Sequence, residues 1–198
     1  AHALGKRGYN VMLSEATRDL GGRVTREARL PGLSQWARVR DYRLQQIKGM
    51  TNVEIFRESK LATKDVLDTG AQHVVIATGA YWRRDGVGRQ HPLPIPGADK
   101  VQLFTPDDIM AGHLPSGPVV VFDDDHYYMG SVIAERLRAA GLDVTFVTPA
   151  ADVANWTHNT MEQARIQTRL IELGVELLCS RDLVAVENGT AVIACAYS

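Results

Sequence analysis

The chain has 198 residues, of which 45% are hydrophobic and 23% charged, as is typical of soluble globular proteins. Its 22 basic and 23 acidic side chains leave a formal net charge of −1, so we expect no nucleic acid and no membrane surface as a partner. No apolar run approaches the ~20 residues that span a bilayer, and the first residues lack the layout of a signal peptide, so we expect a cytoplasmic protein. Two cysteines cannot supply a four-cysteine iron–sulfur site.

The first part of the chain alternates helix and strand and begins inside an element. Residues 2–7 have the character of a helix end with a glycine stop, and no strand precedes them. We therefore expect the first sheet to lack its opening strand, and we interpret the chain as a fragment. The predicted elements are a strand over 9–14, a helix from Ser34 to near Gly49, a strand over 53–57, a short helix over 64–68 and a buried parallel strand over 73–77.

A stretch rich in glycine and proline, residues 83–97, separates this part from the next. The pattern beyond it predicts an α/β fold made of two Rossmann-like, FAD/NAD(P)-binding-type parallel-sheet subdomains, residues 1–90 and 98–198, the first truncated at its N-terminus. The predicted elements are a short helix over 106–110, strands over 119–122 and 144–147 around a helix over 128–140, a long helix over 157–173, a strand over 175–178 and a hairpin that turns at Asn188–Gly189.

An acid at the end of the first predicted strand is the leading candidate for nucleotide binding. Glu15 follows that strand and precedes Gly21–Gly22–Arg23. In dinucleotide-binding units, an acid about 20 residues beyond a Gly-x-Gly-x-x-Gly loop binds the ribose hydroxyls, which would put the loop just before Ala1. Alone, Glu15 also fits an ordinary loop acid. The nucleotide interpretation rests on its combination with the helix end and with a second motif.

That second motif is the predicted strand followed by Ala77-Thr78-Gly79. It resembles the Ala-Thr-Gly with which two-dinucleotide flavoproteins of the glutathione-reductase type leave their first nucleotide domain. The small residues allow backbone to approach a ligand closely. A tryptophan just beyond is placed to flank an adenosine, although core packing also explains it. The candidate ADP- or FAD-binding residues are therefore Glu15, Ala16, Gly21, Gly22, Arg23, Ala77, Thr78, Gly79 and Trp82.

Several further segments carry a more specific resemblance. Residues 19–24, 30–33, 40–43, 75–82 and 94–98 resemble the C-terminal part of the trimethylamine, dimethylamine and histamine dehydrogenases, which are similar to the NADH:flavin oxidoreductases. The resemblance implies an amine-oxidising parent with FMN and a 4Fe–4S cluster in an N-terminal barrel that this chain lacks. It also implies ADP at the first nucleotide site, an electron-transferring flavoprotein as acceptor and a homodimer. It implies no catalytic residue in this chain.

The second predicted βαβ unit indicates which branch of that family this chain resembles. Where a nicotinamide-binding relative has a glycine loop, this chain has three acids, Asp123–Asp125, and a single glycine, Gly130. A pyrophosphate would meet like charge there, so we expect no NAD(P) at the second site. The alternatives are an NAD(P)H-dependent ene-reductase of the 2,4-dienoyl-CoA reductase type and a non-catalytic structural nucleotide-binding module. A divalent-cation site at these acids is a minor alternative; the histidine spacing indicates no catalytic metal.

One aromatic residue is a candidate for the acceptor's docking surface. Trp156 precedes the predicted long helix, in a turn that resembles the site of a surface aromatic near the docking region of the family. Exposed tryptophans are frequent interface anchors. Packing against the start of the helix is the alternative.

Overall fold

The computed structural model describes residues 1–198 and divides the chain into two compact units, Ala1–Ala80 and Tyr81–Ser198. Both are mixtures of helix and strand, and each contains a parallel sheet. The mixed α/β architecture with parallel pairing is therefore as predicted. No helix in the structure combines the length and the apolar character that crossing a bilayer requires.

The first unit is built around two parallel strands. Its elements are α1 (His2–Lys6), β1 (Val11–Ser14), α2 (Arg23–Glu27), α3 (Ala37–Lys48), β2 (Val53–Phe56) and α4 (Thr63–Asp68), with a 3₁₀ turn at Ser34–Trp36.

Helix α1 confirms the helix end predicted at the start of the chain. Its backbone leads through Gly8, whose φ is 86°, into β1. Strand β1 pairs in parallel with β2 from Val11↔Val53 to Ser14↔Phe56. Val53 and Ile47 are both buried and contribute to the core of this unit. Strand β1 therefore has a strand neighbour on one edge only.

The prediction of a buried strand over 73–77 is wrong. Residues 73–79 form no helix or strand and make no backbone-to-backbone hydrogen bond. The side chains of Val75 and Ile76 are 75% and 82% exposed. The run is apolar and β-branched, as a strand requires, but strand geometry depends on a partner that supplies the ladder bonds. No such partner lies beside it in the structure.

The second unit contains a three-stranded parallel sheet and a separate hairpin. Its elements are α5 (Pro106–Met110), β3 (Val119–Phe122), α6 (Met129–Ala139), β4 (Val144–Thr148), α7 (Gln163–Glu172), β5 (Glu176–Cys179), β6 (Arg181–Glu187) and β7 (Thr190–Cys195), with 3₁₀ turns at Ala98–Lys100 and Asn155–Thr160.

The sheet of this unit has the order β3-β4-β5 with all strands parallel. Its central strand carries Phe146 and Val147, both 0% exposed. Leu137 of α6 and Leu170 of α7 are 2% and 1% exposed. A parallel sheet is normally covered on both faces, which explains why four of the five residues of β4 are buried.

In the second unit, the structure confirms one prediction from local sequence and corrects another. The predicted hairpin is present, and its turn residues Asn188 and Gly189 have φ of 50° and 77°, as a type I′ turn requires. The predicted helix over 157–173 is wrong in its first part. There the chain forms a 3₁₀ turn, and Met161, with φ of 60°, interrupts it before α7 begins at Gln163.

Candidate functional site

Glu15 lies at the carboxyl end of β1, where the sequence places it. Its N–H donates to the carbonyl of Phe56 at 2.9 Å, and its own carbonyl accepts from the N–H of Ser59 at 2.9 Å, so the backbone is fixed on both sides. Oε1 accepts from the N–H and the hydroxyl of Thr17, both at 2.9 Å. Oε2 accepts no hydrogen bond from the protein. Thr17 thus orients the carboxylate through Oε1, whereas Oε2 is available to accept a hydrogen bond from a ligand, next to exposed Ala16.

The paired glycines shape the turn into α2, each for a different reason. Gly21 has φ of 113°, and a Cβ there would lie 2.5 Å from Thr25 Oγ1 and 2.6 Å from Arg40 Cδ. Gly22 has open space around it but φ of 49°. The Thr25 hydroxyl donates to the carbonyl of Leu20 at 3.0 Å and accepts from Arg40 Nη1 at 3.1 Å. The turn is therefore packed against the side chain of Arg40 on α3.

Arg23 joins the two sequence motifs. Its Nη2 donates to the carbonyl of Ala80 at 2.8 Å, across 57 positions of sequence. Its Nη1 lies 3.4 Å from Oε1 of Glu27, a carboxylate whose residue is only 4% exposed. The Gly21–Gly22–Arg23 turn and the end of the Ala77–Ala80 segment are thus held together within the first unit. Sequence reasoning missed Glu27, although its spacing of four from Arg23 on a helix is the usual signal for such a pair.

The structure places the remaining predicted residues differently. Ala77, Thr78 and Gly79 are exposed and lie outside any strand, and Gly79 has φ of 78°. Trp82 belongs to the second unit, where its backbone N–H donates to Asp107 Oδ2 at 2.9 Å. Of the nucleotide candidates, Glu15 and the Arg23 turn therefore have defined local geometry, whereas the Ala77–Gly79 segment is fixed only at its end.

In the second unit, acidic side chains occupy the carboxyl end of β3. Asp123 is 3% exposed, and its Oδ1 accepts weakly from the N–H groups of Asp125 and His126 at 3.3 and 3.4 Å. Its Oδ2 has no hydrogen-bond partner. Burial raises the pKa of Asp123 to about 7, and the neighbouring carboxylates add to this rise against the two backbone hydrogen bonds. A Cβ on Gly130 would lie 2.7 Å from Asp123 Cγ, so this carboxyl fills the space at the start of α6.

Asp124 binds backbone from the glycine- and proline-rich stretch. Its carboxylate accepts from the N–H of Arg89 and from the N–H of Gln90, the latter at 3.0 Å. A Cβ on Gly88 would overlap the same carboxylate. Backbone N–H groups and a helix start are the usual partners of a nucleotide phosphate. Here the protein's own carboxylates occupy these positions, which sequence reasoning saw only as unfavourable charge.

Trp156 lies in the 3₁₀ turn Asn155–Thr160 and is 46% exposed. Its backbone N–H donates to the carbonyl of His126 at 2.9 Å. The guanidinium carbon of Arg89 lies 4.1 Å from the centre of its ring, within the range of a cation–π contact. Both ends of the turn, Ala154 and Met161, have positive φ, of 50° and 60°. Strained backbone therefore presents the ring to solvent with a cation against one face.

The chain is similar to known proteins along its whole length. Residues 104–197 match the model of the OYE-like second alpha/beta domain. Over nearly its full length the chain is similar to part of several amine-oxidising enzymes. It is 36% identical over 197 residues to dimethylamine dehydrogenase of Hyphomicrobium sp. (strain x), a match that covers 96% of this chain and 27% of that protein.

Two solved structures have the same fold over the whole chain. Histamine dehydrogenase from Rhizobium sp. 4-9 is 51% identical with a TM-score of 0.96, and the match covers 100% of this chain and 31% of that one. The 6-hydroxypseudooxynicotine amine oxidase of Pseudomonas geniculata N1 is 44% identical, also with a TM-score of 0.96, covering 100% and 30%. The chain thus spans about a third or less of the relatives it matches, and those relatives are amine-oxidising oxidoreductases.

Proposed function

We propose that this chain is the ADP-binding and acceptor-docking part of an iron–sulfur flavoprotein amine dehydrogenase, an enzyme that oxidises a small amine by N-demethylation or deamination. The observation that carries the proposal is the 51% identity to histamine dehydrogenase over the entire chain. The chain contributes two nucleotide-domain-like halves, the first for ADP or FAD and the second without a nucleotide.

The first unit fits the ribose of ADP. Glu15 presents one carboxylate oxygen without a protein donor at the end of a parallel strand, and a carboxylate at that place accepts hydrogen bonds from ribose hydroxyls. The Arg23 contact to Ala80 keeps the glycine turn and the following segment together beside it. Residues 1–80 contain no Gly-x-Gly-x-x-Gly sequence. The proposal therefore assigns the phosphates to other residues of the enzyme.

The reacting groups lie outside this chain in the proposal. FMN and a 4Fe–4S cluster, held by residues of the enzyme outside this chain, would supply the two-electron oxidation of the amine and the one-electron transfer to the acceptor. The chain's two cysteines, Cys179 and Cys195, are free thiols, and we assign no catalytic residue to it. The chain itself would hold ADP and present a docking surface to the electron acceptor. We take the acceptor to be an electron-transferring flavoprotein and the enzyme to be a homodimer.

The second unit supports the amine dehydrogenase over the ene-reductase alternative. An NAD(P)H-dependent enzyme needs backbone N–H groups and bare glycine at the carboxyl end of β3. Asp123 and Asp124 fill that space with carboxylates, and the N–H groups of Arg89 and Gln90 are already bound. We therefore propose that no nicotinamide cofactor binds here.

The ADP assignment is tested by exchanging one carboxylate for an amide in the full-length enzyme. Glu15→Gln removes the charge from the ribose acceptor, and we expect ADP to be bound about tenfold more weakly, because a charge-assisted hydrogen bond becomes neutral. ADP released on denaturation is quantified by chromatography after dialysis. Glu54→Gln, an exposed acid on neighbouring β2, is the matched control and should retain ADP. Equal ADP content in both variants contradicts the assignment.

A further inference from the structure

A cavity of about 480 Å³ opens on the first unit, apart from the ribose-binding carboxylate. Its walls come from the loop before α2, from α2, from one side of α3 and from the residue after β2. The charged side chains that line it are Asp19, Arg29, Arg40, Asp41 and Arg57, and the rest of the wall is mostly apolar. A concave, partly apolar space of this size with a few charged groups is typical of a small-molecule site.

Two of these charged residues, Arg40 and Asp41, form an ion pair with each other. Arg40 Nε and Nη2 both lie 2.8 Å from Asp41 Oδ1. Arg40 Nη1 also donates to the hydroxyl of Thr25 at 3.1 Å. This guanidinium is therefore fixed by the protein, and it forms a rigid wall.

The other charged groups of the lining have no partner within the protein. Arg29 and Arg57 make no hydrogen bond or ion pair to any protein acceptor, and the Asp19 carboxylate accepts none. Two guanidinium groups thus face the cavity against a single carboxylate. Guanidinium groups bind phosphate and carboxylate through paired N–H donors. An anion in the cavity would pair with these guanidinium groups, and a hydroxyl or amino group on the same ligand would donate to the Asp19 carboxylate.

We propose that this arginine cavity binds a small oxyanion, phosphate- or carboxylate-bearing, that also carries a hydroxyl or amino donor. The cavity is distinct from the ribose position because Glu15 does not line it. The two are adjacent, however, since the Thr17 hydroxyl contacts both Glu15 Oε1 and the carbonyl of Asp19 at 2.9 Å. The proposal stands independently of ADP binding.

The proposal is tested by calorimetric titration of the 198-residue chain with inorganic pyrophosphate and, separately, with citrate. We expect saturable binding of at least one probe. Arg57→Gln should weaken it about tenfold, because one charge-assisted contact is lost, and Arg29→Gln should act in the same direction. Asp19→Asn should tighten the binding of either probe, because it removes a like charge from the cavity. The matched control is Arg7→Gln, which removes an exposed arginine of the same unit outside the cavity.

The two probes distinguish the source of the oxyanion. Binding of pyrophosphate alone assigns a phosphate-bearing ligand, and binding of citrate alone assigns a polycarboxylate. Glu15→Gln should leave the affinity for either probe unchanged, which separates this site from the ADP proposal. Absence of saturation at millimolar concentrations overturns the proposal. So does equal weakening by Arg7→Gln and Arg57→Gln, because that result indicates only a general charge effect. Circular dichroism of each variant verifies that it is folded.

Discussion

At the scale of single residues, Asp123 is the group whose charge state the fold alters most. Its carboxyl is surrounded by α6 and β3, and one oxygen lacks any donor. An ionised carboxylate in such a place loses its hydration without full compensation. The residue therefore favours its protonated form far above the pH at which a free aspartate ionises.

The raised pKa predicts a pH dependence of stability with a definite sign. The pKa of Asp123 rises from 3.8 to about 7 on folding, so between these values the native state binds more protons than the unfolded one. The free energy of unfolding should fall as the pH rises through this window, by on the order of 4 kcal/mol in total. Asp123→Asn should abolish most of this slope, because an amide does not titrate.

Urea unfolding at pH 5 and pH 8 measures the effect of this substitution. The control is Asp99→Asn, which changes an exposed carboxyl of the same unit and should leave the slope intact. If the stabilities of the natural chain and of Asp123→Asn fall equally between the two pH values, Asp123 is not the titrating group.

At the scale of elements, the segment 73–79 shows what a sequence pattern does and does not determine. The run Val74–Ala77 has the composition of a buried strand, and the strand Val11–Ser14 was predicted from a similar signal. Strand β1 forms because β2 supplies its ladder bonds. The later run has none. Residue types determine which backbone conformations are favoured, whereas pairing depends on which chain lies alongside.

Hydrogen exchange provides a direct measurement of that difference. The amides of residues 74–79 have no acceptor in the backbone and are predicted to exchange at nearly the rate of an unstructured peptide. The amides of β4, buried between two strands, should exchange slowest. Protection of 74–79 comparable to that of β4 in the 198-residue chain would show that these residues have a strand partner after all.

The sequence predicts a turn at Trp156 but begins the following helix too early, at residue 157. The geometry of this 3₁₀ turn defines the docking test. In the full-length enzyme, Trp156→Ala should slow reoxidation by the acceptor flavoprotein at least tenfold, since an aromatic interface anchor contributes about 2 kcal/mol. Reduction of the flavin by amine and the free energy of unfolding should change little, because the ring is half exposed.

Stopped-flow measurement of the two half-reactions separates docking from packing. The matched control is Tyr197→Ala, which removes an exposed aromatic of the same unit. A loss of stability with an unchanged oxidative half-reaction would assign Trp156 to packing and remove it from the proposed interface.

At the scale of the whole molecule, local patterns predicted most elements, but not the contacts that define the candidate sites. The alternating and continuous apolar runs indicated the parallel sheets, and Asn188–Gly189 indicated the hairpin. The contact of Arg23 with Ala80 spans 57 positions, and that of Asp124 with Arg89 spans 35. No periodicity in one sequence reports contacts at such separations. In the sequence, Gly88 is part of the glycine- and proline-rich stretch that predicts a subdomain boundary. In the structure it lies against the Asp124 carboxylate, which a Cβ at this position would overlap.

The two halves of the molecule are therefore expected to differ in their response to nucleotides. The chain should show no saturable binding of NADH, because the buried carboxyl of Asp123 fills the space at the start of α6 and the Asp124 carboxylate already binds the N–H groups of Arg89 and Gln90. Titration followed by nicotinamide fluorescence measures this. Micromolar binding of NADH would contradict the assignment of the second unit and would favour the ene-reductase alternative. Asp124→Asn serves as a comparison that keeps the side-chain shape and removes one charge.

The contact between Asp124 and Gly88 also makes these two positions interdependent in evolution. A side chain at position 88 is excluded only while the Asp124 carboxylate lies against it. That carboxylate in turn accepts hydrogen bonds only while the N–H groups of residues 89 and 90 point toward it. Loss of either residue removes the reason for keeping the other. Lineages of this fold should therefore either keep glycine and aspartate together or replace both.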